Sequence, residues 1–320
     1  MGFAFPQGGH LILDAHLELL TGRAVRTDVA RAASLGLYRQ ALAIDPDYAQ
    51  AQAELGFSNY HLWMSGHDRR EETWATARAA GERALALDPA NGTAHNLLAF
   101  INMGEGAFEA AEALWLEGLA IDPGHGAVHL VYSIFLLCTG RIEEARAHLF
   151  RARDLDPKDP KVHSALGIFY LIEGNYPAAI EEFEQLPAGQ DSPLLLSYSQ
   201  HLAGNDARAA DVALDPLPAE PEAALRSVFE QGGYTGIVRA GVEFQILESG
   251  KRCTSAPVSA ALQFAVIGEA ERMFQCLDEV ETATNRDHLS VWFFLAFPDF
   301  RPYRDDPRFI ATMNRLVPEL

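Results

Sequence analysis

Cysteine is scarce in this sequence: Cys138, Cys253 and Cys276 are the three among 320 residues. The number is odd and no two share a CxxC spacing, which argues against a disulfide framework and against a structural zinc site. Basic residues are outnumbered, with 25 Lys and Arg against 44 Asp and Glu and a net charge of −19. Such a surface repels nucleic acid and anionic lipid, so neither is expected as a partner. No stretch reaches the ~18 uninterrupted apolar residues from which a membrane span is read. The amino terminus, Met1-Gly2-Phe3-Ala4-Phe5-Pro6, has neither the basic start and apolar run of a leader nor the Ser or Thr that myristoylation requires. These absences point to a soluble protein of the reducing cytoplasm.

Signatures of chemistry are missing as well. The sequence holds no P-loop, GxGxxG or GxSxG, and His125-Gly126-Ala127-Val128-His129 lacks the glutamate of HExxH. No metal, cofactor or catalytic residue is therefore assigned, and catalysis is the less favoured class of function. Glu54, Asn59 and His61 are the nearest polar side chains should acid–base work be asked of the chain.

What the sequence does have is a period of 34 residues. With Gly92, Gly126 and Pro160 each counted as position 1, position 7 is Leu98, Tyr132, Leu166 and position 8 is Ala99, Ser133, Gly167. Position 15 is Gly106, Gly140, Gly174; position 20 is Ala111, Ala145, Ala179; position 24 is Trp115, Leu149, Phe183. Each unit reads as helix, glycine turn, helix, with small residues where the two helices approach and a large one beside them. Between units stand Ile44-Asp45-Pro46, Leu87-Asp88-Pro89, Ile121-Asp122-Pro123 and Leu155-Asp156-Pro157, where proline stops the second helix. From Pro46 to Pro89 the spacing is 43 rather than 34, so an insertion of nine falls within 61–76. Three consecutive units carry histidine at position 4: His95, His129 and His163. Helix layers stand ~10 Å apart, too far for one shared metal, so these are read as half-buried spacers. If buried and neutral, they would make stability fall as pH drops.

These columns resemble the tetratricopeptide repeat. The resemblance implies an all-α, right-handed superhelical solenoid of about seven to eight helix pairs with a capping helix at the carboxyl end. On that basis 1–10 is a loose start, 11–216 the repeats proper with six pairs, and 217–320 degenerate pairs and the cap. Three further stretches, Asp14-Ala15-His16 to Gly22, Ala84 to Pro89, and Phe300-Arg301-Pro302-Tyr303-Arg304-Asp305-Asp306-Pro307-Arg308-Phe309, resemble the repeat region of bacterial winged-helix transcription activators and receptor-type adenylate cyclases. In those proteins the region is a sensory or protein-binding module. The output domain is expected to be missing here, because the repeats already begin at Leu11.

The family geometry places ligand contacts on the first helix of each pair, at positions 2, 5, 9 and 12. Position 9 is Phe57, Phe100, Ile134, Ile168, and position 12 is Tyr60, Met103, Leu137, Leu171. Asn96, Leu130 and Ser164 stand at position 5, and the insertion adds His61 and Trp63. The face is apolar, and only Lys161 and Asn96 hint at a clamp for a carboxylate. Its expected occupant is an apolar peptide or helix of a partner protein. The alternatives are a small hydrophobic molecule, bound by a sensor or unusual enzyme under a lid formed by the insertion, and the chain's own Met1–Pro6 or Trp292–Phe297.

Overall fold

The protein is described by a computed structural model covering residues 28–64, 68, 70–187, 193–215, 219–249, 253, 257–280 and 296–316. The expected loose start, the stretch 14–22 and residues 292–295 of the apolar segment lie outside the described residues. Among those described, regular structure is helical throughout. The order is α1 (Asp28–Ile44), α2 (Ala49–Met64), α3 (Glu71–Leu87), α4 (Gly92–Gly104), α5 (Phe108–Ile121), α6 (Gly126–Cys138), α7 (Ile142–Leu155), α8 (Pro160–Glu173) and α9 (Tyr176–Glu184). It continues with α10 (Pro193–Leu202), α11 (Asp206–Leu214), α12 (Ala219–Ser249), α13 (Pro257–Val266), α14 (Ala270–Asp278), a 3-10 turn (Pro298–Tyr303) and α15 (Pro307–Leu316). α12 is two helices joined at Gly233, whose φ of 63° and ψ of −163° break the spiral. Counting its halves as one pair, seven helix pairs follow α1 among the described residues.

Two sequence features build each pair. Glycine at position 15 takes a left-handed φ of 75–84° at Gly106, Gly140, Gly174, Gly204 and Gly268. That conformation lets the following amide reach back to the helix: Ala107 N to Asn102 O and Asn175 N to Tyr170 O span 2.8 and 2.9 Å. Carbonyls that the helix end would leave unpaired are thereby satisfied. Between pairs, the aspartate of Asp-Pro accepts from the amide two residues on, at 3.0 Å for both Ala90 to Asp88 and Gly124 to Asp122. The side chain thus closes the turn that the proline opens. Across each pair the small columns are fully buried: Ala99, Ala111, Ser133, Ala145 and Ala179 are all 0% exposed.

The chain divides into two compact units, Met1–Val128 and His129–Leu320. In the first, α2 packs on α3 and on α4, and α4 on α5. Its core holds Tyr60, Trp63, Trp74, Leu97, Leu98 and Ile101. The insertion is spent on length: α2 runs on to Met64 and α3 starts at Glu71. Trp63 and Trp74 then meet edge to face with centroids 4.8 Å apart, 4% and 2% exposed, and belong to the core rather than to a lid.

In the second unit, successive helices from α7 to α14 pack in order. The expectation against a disulfide is overturned here, because Cys253 and Cys276 are bonded across 23 residues and both are buried. Spacing in sequence could not reveal this pair, since α14 brings Cys276 against Cys253 only once the helices pack. Cys138 remains a thiol, and burial pushes it up to about 12.

Candidate functional site

In the first unit the first-helix face carries a cluster of rings. Phe57 on α2 and Phe100 on α4 stand at the same repeat position, centroids 6.3 Å apart and edge to face. Phe57 stacks on His61 at 5.8 Å, and Phe100 stacks on Tyr60 at 5.4 Å and meets Trp115 edge-on at 5.9 Å. The geometry follows from the fold: α2 and α4 are neighbours, so residues at equal positions line up across them. Phe57 and Phe100 are half-buried and His61 is exposed, whereas Tyr60 and Trp63 lie beneath them in the core.

Asn96 is already engaged. Its side-chain oxygen accepts from Trp115 Nε1 at 3.0 Å, and the residue is 9% exposed. A clamp for a peptide carboxylate therefore loses one of its two candidate groups, and Lys161 is exposed at the start of α8 in the other unit. Met103, also expected at the face, is 4% exposed.

In the second unit Ile134 and Ser164 are half-buried, while Leu130, Leu137, Ile168 and Leu171 are buried. Here residues near 300 pack on the first helices α8 and α10. Phe297, 0% exposed, lies parallel to the ring of Tyr198 on α10, centroids 5.8 Å apart and planes 13° apart. The Tyr198 hydroxyl donates to Asp299, and Arg301 donates to the Ile172 carbonyl in the last turn of α8. Burial and the Asp299 carboxylate hold the Tyr198 hydroxyl far above the usual phenol range. The 3-10 turn also packs against α13. None of Tyr198, Asp299 or Arg301 was expected at the face. The signal was available for Tyr198: counting back from Gly204 as position 15 puts it at position 9, the position of Phe57 and Phe100.

The position-4 histidines each engage partners of their own. Nε2 of His95 donates to the Pro89 carbonyl at 2.9 Å and Nε2 of His163 to the Pro157 carbonyl at 3.2 Å, tying the helix start to the Asp-Pro turn before it. His129 Nδ1 meets His148 Nδ1 at 2.9 Å. His148 is held below its ordinary 6.5, first by burial and then by the charge of His129. The open cleft at the α12 kink, lined by Val228, Gln231, Thr235, Arg239 and Glu243, contains none of the face aromatics.

Residues 103–169 match the tetratricopeptide repeat family. With the helix pairs described above, the fold is of the tetratricopeptide-repeat class. Similar solved structures include PilW, described as a widely conserved type IV pilus biogenesis factor, 18% identical over 66% of this chain and 98% of that one, with a TM-score of 0.48. A thermophilic repeat protein of Thermus thermophilus is 19% identical over 62% and 99% of the two chains, with a TM-score of 0.45. A tetratricopeptide repeat protein of Parabacteroides merdae ATCC 43184 is 14% identical over 91% and 98%, at 0.44. No curated protein matches the chain. At such identities no role passes from these proteins to this one.

Proposed function

We infer that the protein is an interaction scaffold that holds an apolar segment of a partner protein against the Phe57–Phe100 face of its first unit. The observation that carries this reading is the pair of half-buried aromatic rings at equal positions on adjacent first helices, with exposed His61 stacked at the edge. Rings that are backed by a core but open on one side offer large apolar area at little entropic cost. Among the described residues the face is made of rings, and the chain's net charge of −19 disfavours an acidic tail. Its likeness in order of parts to the repeat regions of bacterial regulators supports a protein-binding or sensory module, and is part of the same proposal.

The test is selection of peptides from a displayed library by the wild-type chain and by Phe57→Ser/Phe100→Ser, with helicity and melting followed for both. Apolar sequences retained by the wild type and lost by the variant, with folding unchanged, are the expected result. Peptides held equally by both chains, or a variant that unfolds, would show the rings to be core only. Selection that returns nothing from the wild type, together with retention of a small hydrophobic molecule through purification, would move the reading to a small-molecule receptor.

A further inference from the structure

The second unit shows what its own inner face can hold. Segment 296–304 reads Ala-Phe-Pro-Asp-Phe-Arg-Pro-Tyr-Arg. Three of its side chains reach first helices, the elements on which the resemblance places ligand contacts. Phe297 stacks on Tyr198, Asp299 accepts from the Tyr198 hydroxyl, and Arg301 donates to the Ile172 carbonyl. Tyr198 occupies repeat position 9, and Ile172 lies two residues before the turn glycine, Gly174. The same short segment rests on α13, the first helix of a third pair. An aromatic anchor, an acceptor for one hydroxyl and a guanidinium on the carbonyl end of a helix make up a recognition set, with both shape and charge specified. Pro298 and Pro302 restrict the segment before it binds, which lowers the entropic cost of holding it.

We propose that the first-helix face of the second unit is a recognition site for a peptide of the form Phe-Pro-Asp-Phe-Arg, closed in cis by the chain's own Phe297–Arg301. The occupant is this named segment. An outside peptide of the same form binds only by displacing it, so the second unit is a regulated site, separate from the open face of the first. This goes beyond the scaffold reading and stands or falls without it.

The experiment uses the full chain carrying Phe297→Ala, Asp299→Asn and Arg301→Gln, titrated with a fluorescein-labelled synthetic peptide of residues 296–304. The variant is expected to bind the peptide at least about tenfold more tightly than the wild type, whose site is filled, an effective-concentration effect. A peptide carrying Asp299→Asn and Arg301→Gln is expected not to bind. Equal binding by wild type and variant, or a folded variant that binds nothing, overturns the proposal. Should the triple variant fail to fold, hydrogen exchange on Tyr198→Phe decides. The amides of Phe300 and Arg304, bonded to Phe297 and Arg301, are expected to exchange about tenfold faster, as loss of a hydrogen bond to a charged group implies. Amides of α8 and α10 are expected to keep their rates. Acceleration of all of them together would make the segment part of the core and end the proposal.

Discussion

At the scale of single residues, the repeat is held by contacts too close for substitution. A Cβ built on Gly167 lies 2.5 Å from Cε1 of Phe183, and that ring is 1% exposed, with nowhere to move. Gly167→Ala gains ~1 kcal/mol of helix propensity but overpacks the pair by ~1–3 kcal/mol. A net loss of up to ~2 kcal/mol is expected, read as a lower urea midpoint, and a raised midpoint would show that the small column is not tightly packed. Gly106 is the opposite case: nothing lies within 4 Å, yet its φ is +79°. Gly106→Ala is expected to cost ~1–2 kcal/mol from backbone strain alone. A pH response is expected at His148. Its folded pKa is depressed, so the native chain binds fewer protons than the unfolded one, and stability is lost as pH falls from 6.5 through the lowered value. The groups facing it are His129, Glu144 and Arg141, the carboxylate of Glu144 working against the other two. Melting temperature is expected to fall between pH 7 and 5, the conventional ~2-unit window around the histidine range, and less steeply in His148→Gln. Parallel slopes for the two chains would remove His148 from the account.

At the scale of elements, the disulfide is the largest departure from the sequence reading. It joins Cys253 to α14, and α14 in turn receives the last helix: Arg315 donates to the Leu277 and Val280 carbonyls at 2.7 and 2.8 Å, and Arg308 pairs with Glu271 at 2.8 Å. Closing a loop of 23 residues is worth ~3 kcal/mol through the unfolded state. Reduction is therefore expected to lower the unfolding free energy by about that amount, and Cys253→Ser/Cys276→Ser to show the same loss with no further response to reductant. A wild-type unfolding curve unmoved by reductant would mean that the pair adds nothing. The insertion in the second repeat is a gentler departure. Part of the insertion lengthens the two helices, which end at Met64 and begin at Glu71, and Trp63 and Trp74 at those ends are buried against each other.

At the scale of the whole molecule, charge and apolarity set what can bind. The chain carries −19, yet the proposed contact in the first unit is made by rings. Affinity for a neutral apolar peptide is therefore expected to hold between ~0.1 and ~1 M salt, while screening shortens from ~10 to ~3 Å. A steep loss over that range, measured by titration calorimetry, would assign the binding to the acidic surface instead. Among the described residues no helix is long and apolar enough to cross a membrane.

The sequence by itself determined the repeat: spacing of glycine, alanine and Asp-Pro set the helix pairs, and α4, α6 and α8 begin at Gly92, Gly126 and Pro160, the residues counted as position 1. That was possible because turn glycines and helix-ending prolines act through the local backbone. Counting along the period reached Phe57, Phe100 and Ile134, which are half-buried. Counting cannot say which members of that face sink into the core, as Tyr60, Met103 and Leu171 do. Only the tertiary structure decided that Cys253 meets Cys276, that His148 meets His129, and that residues near 300 lie on helices formed more than a hundred residues earlier. Those meetings depend on how helices stack, and stacking joins positions that no local pattern relates.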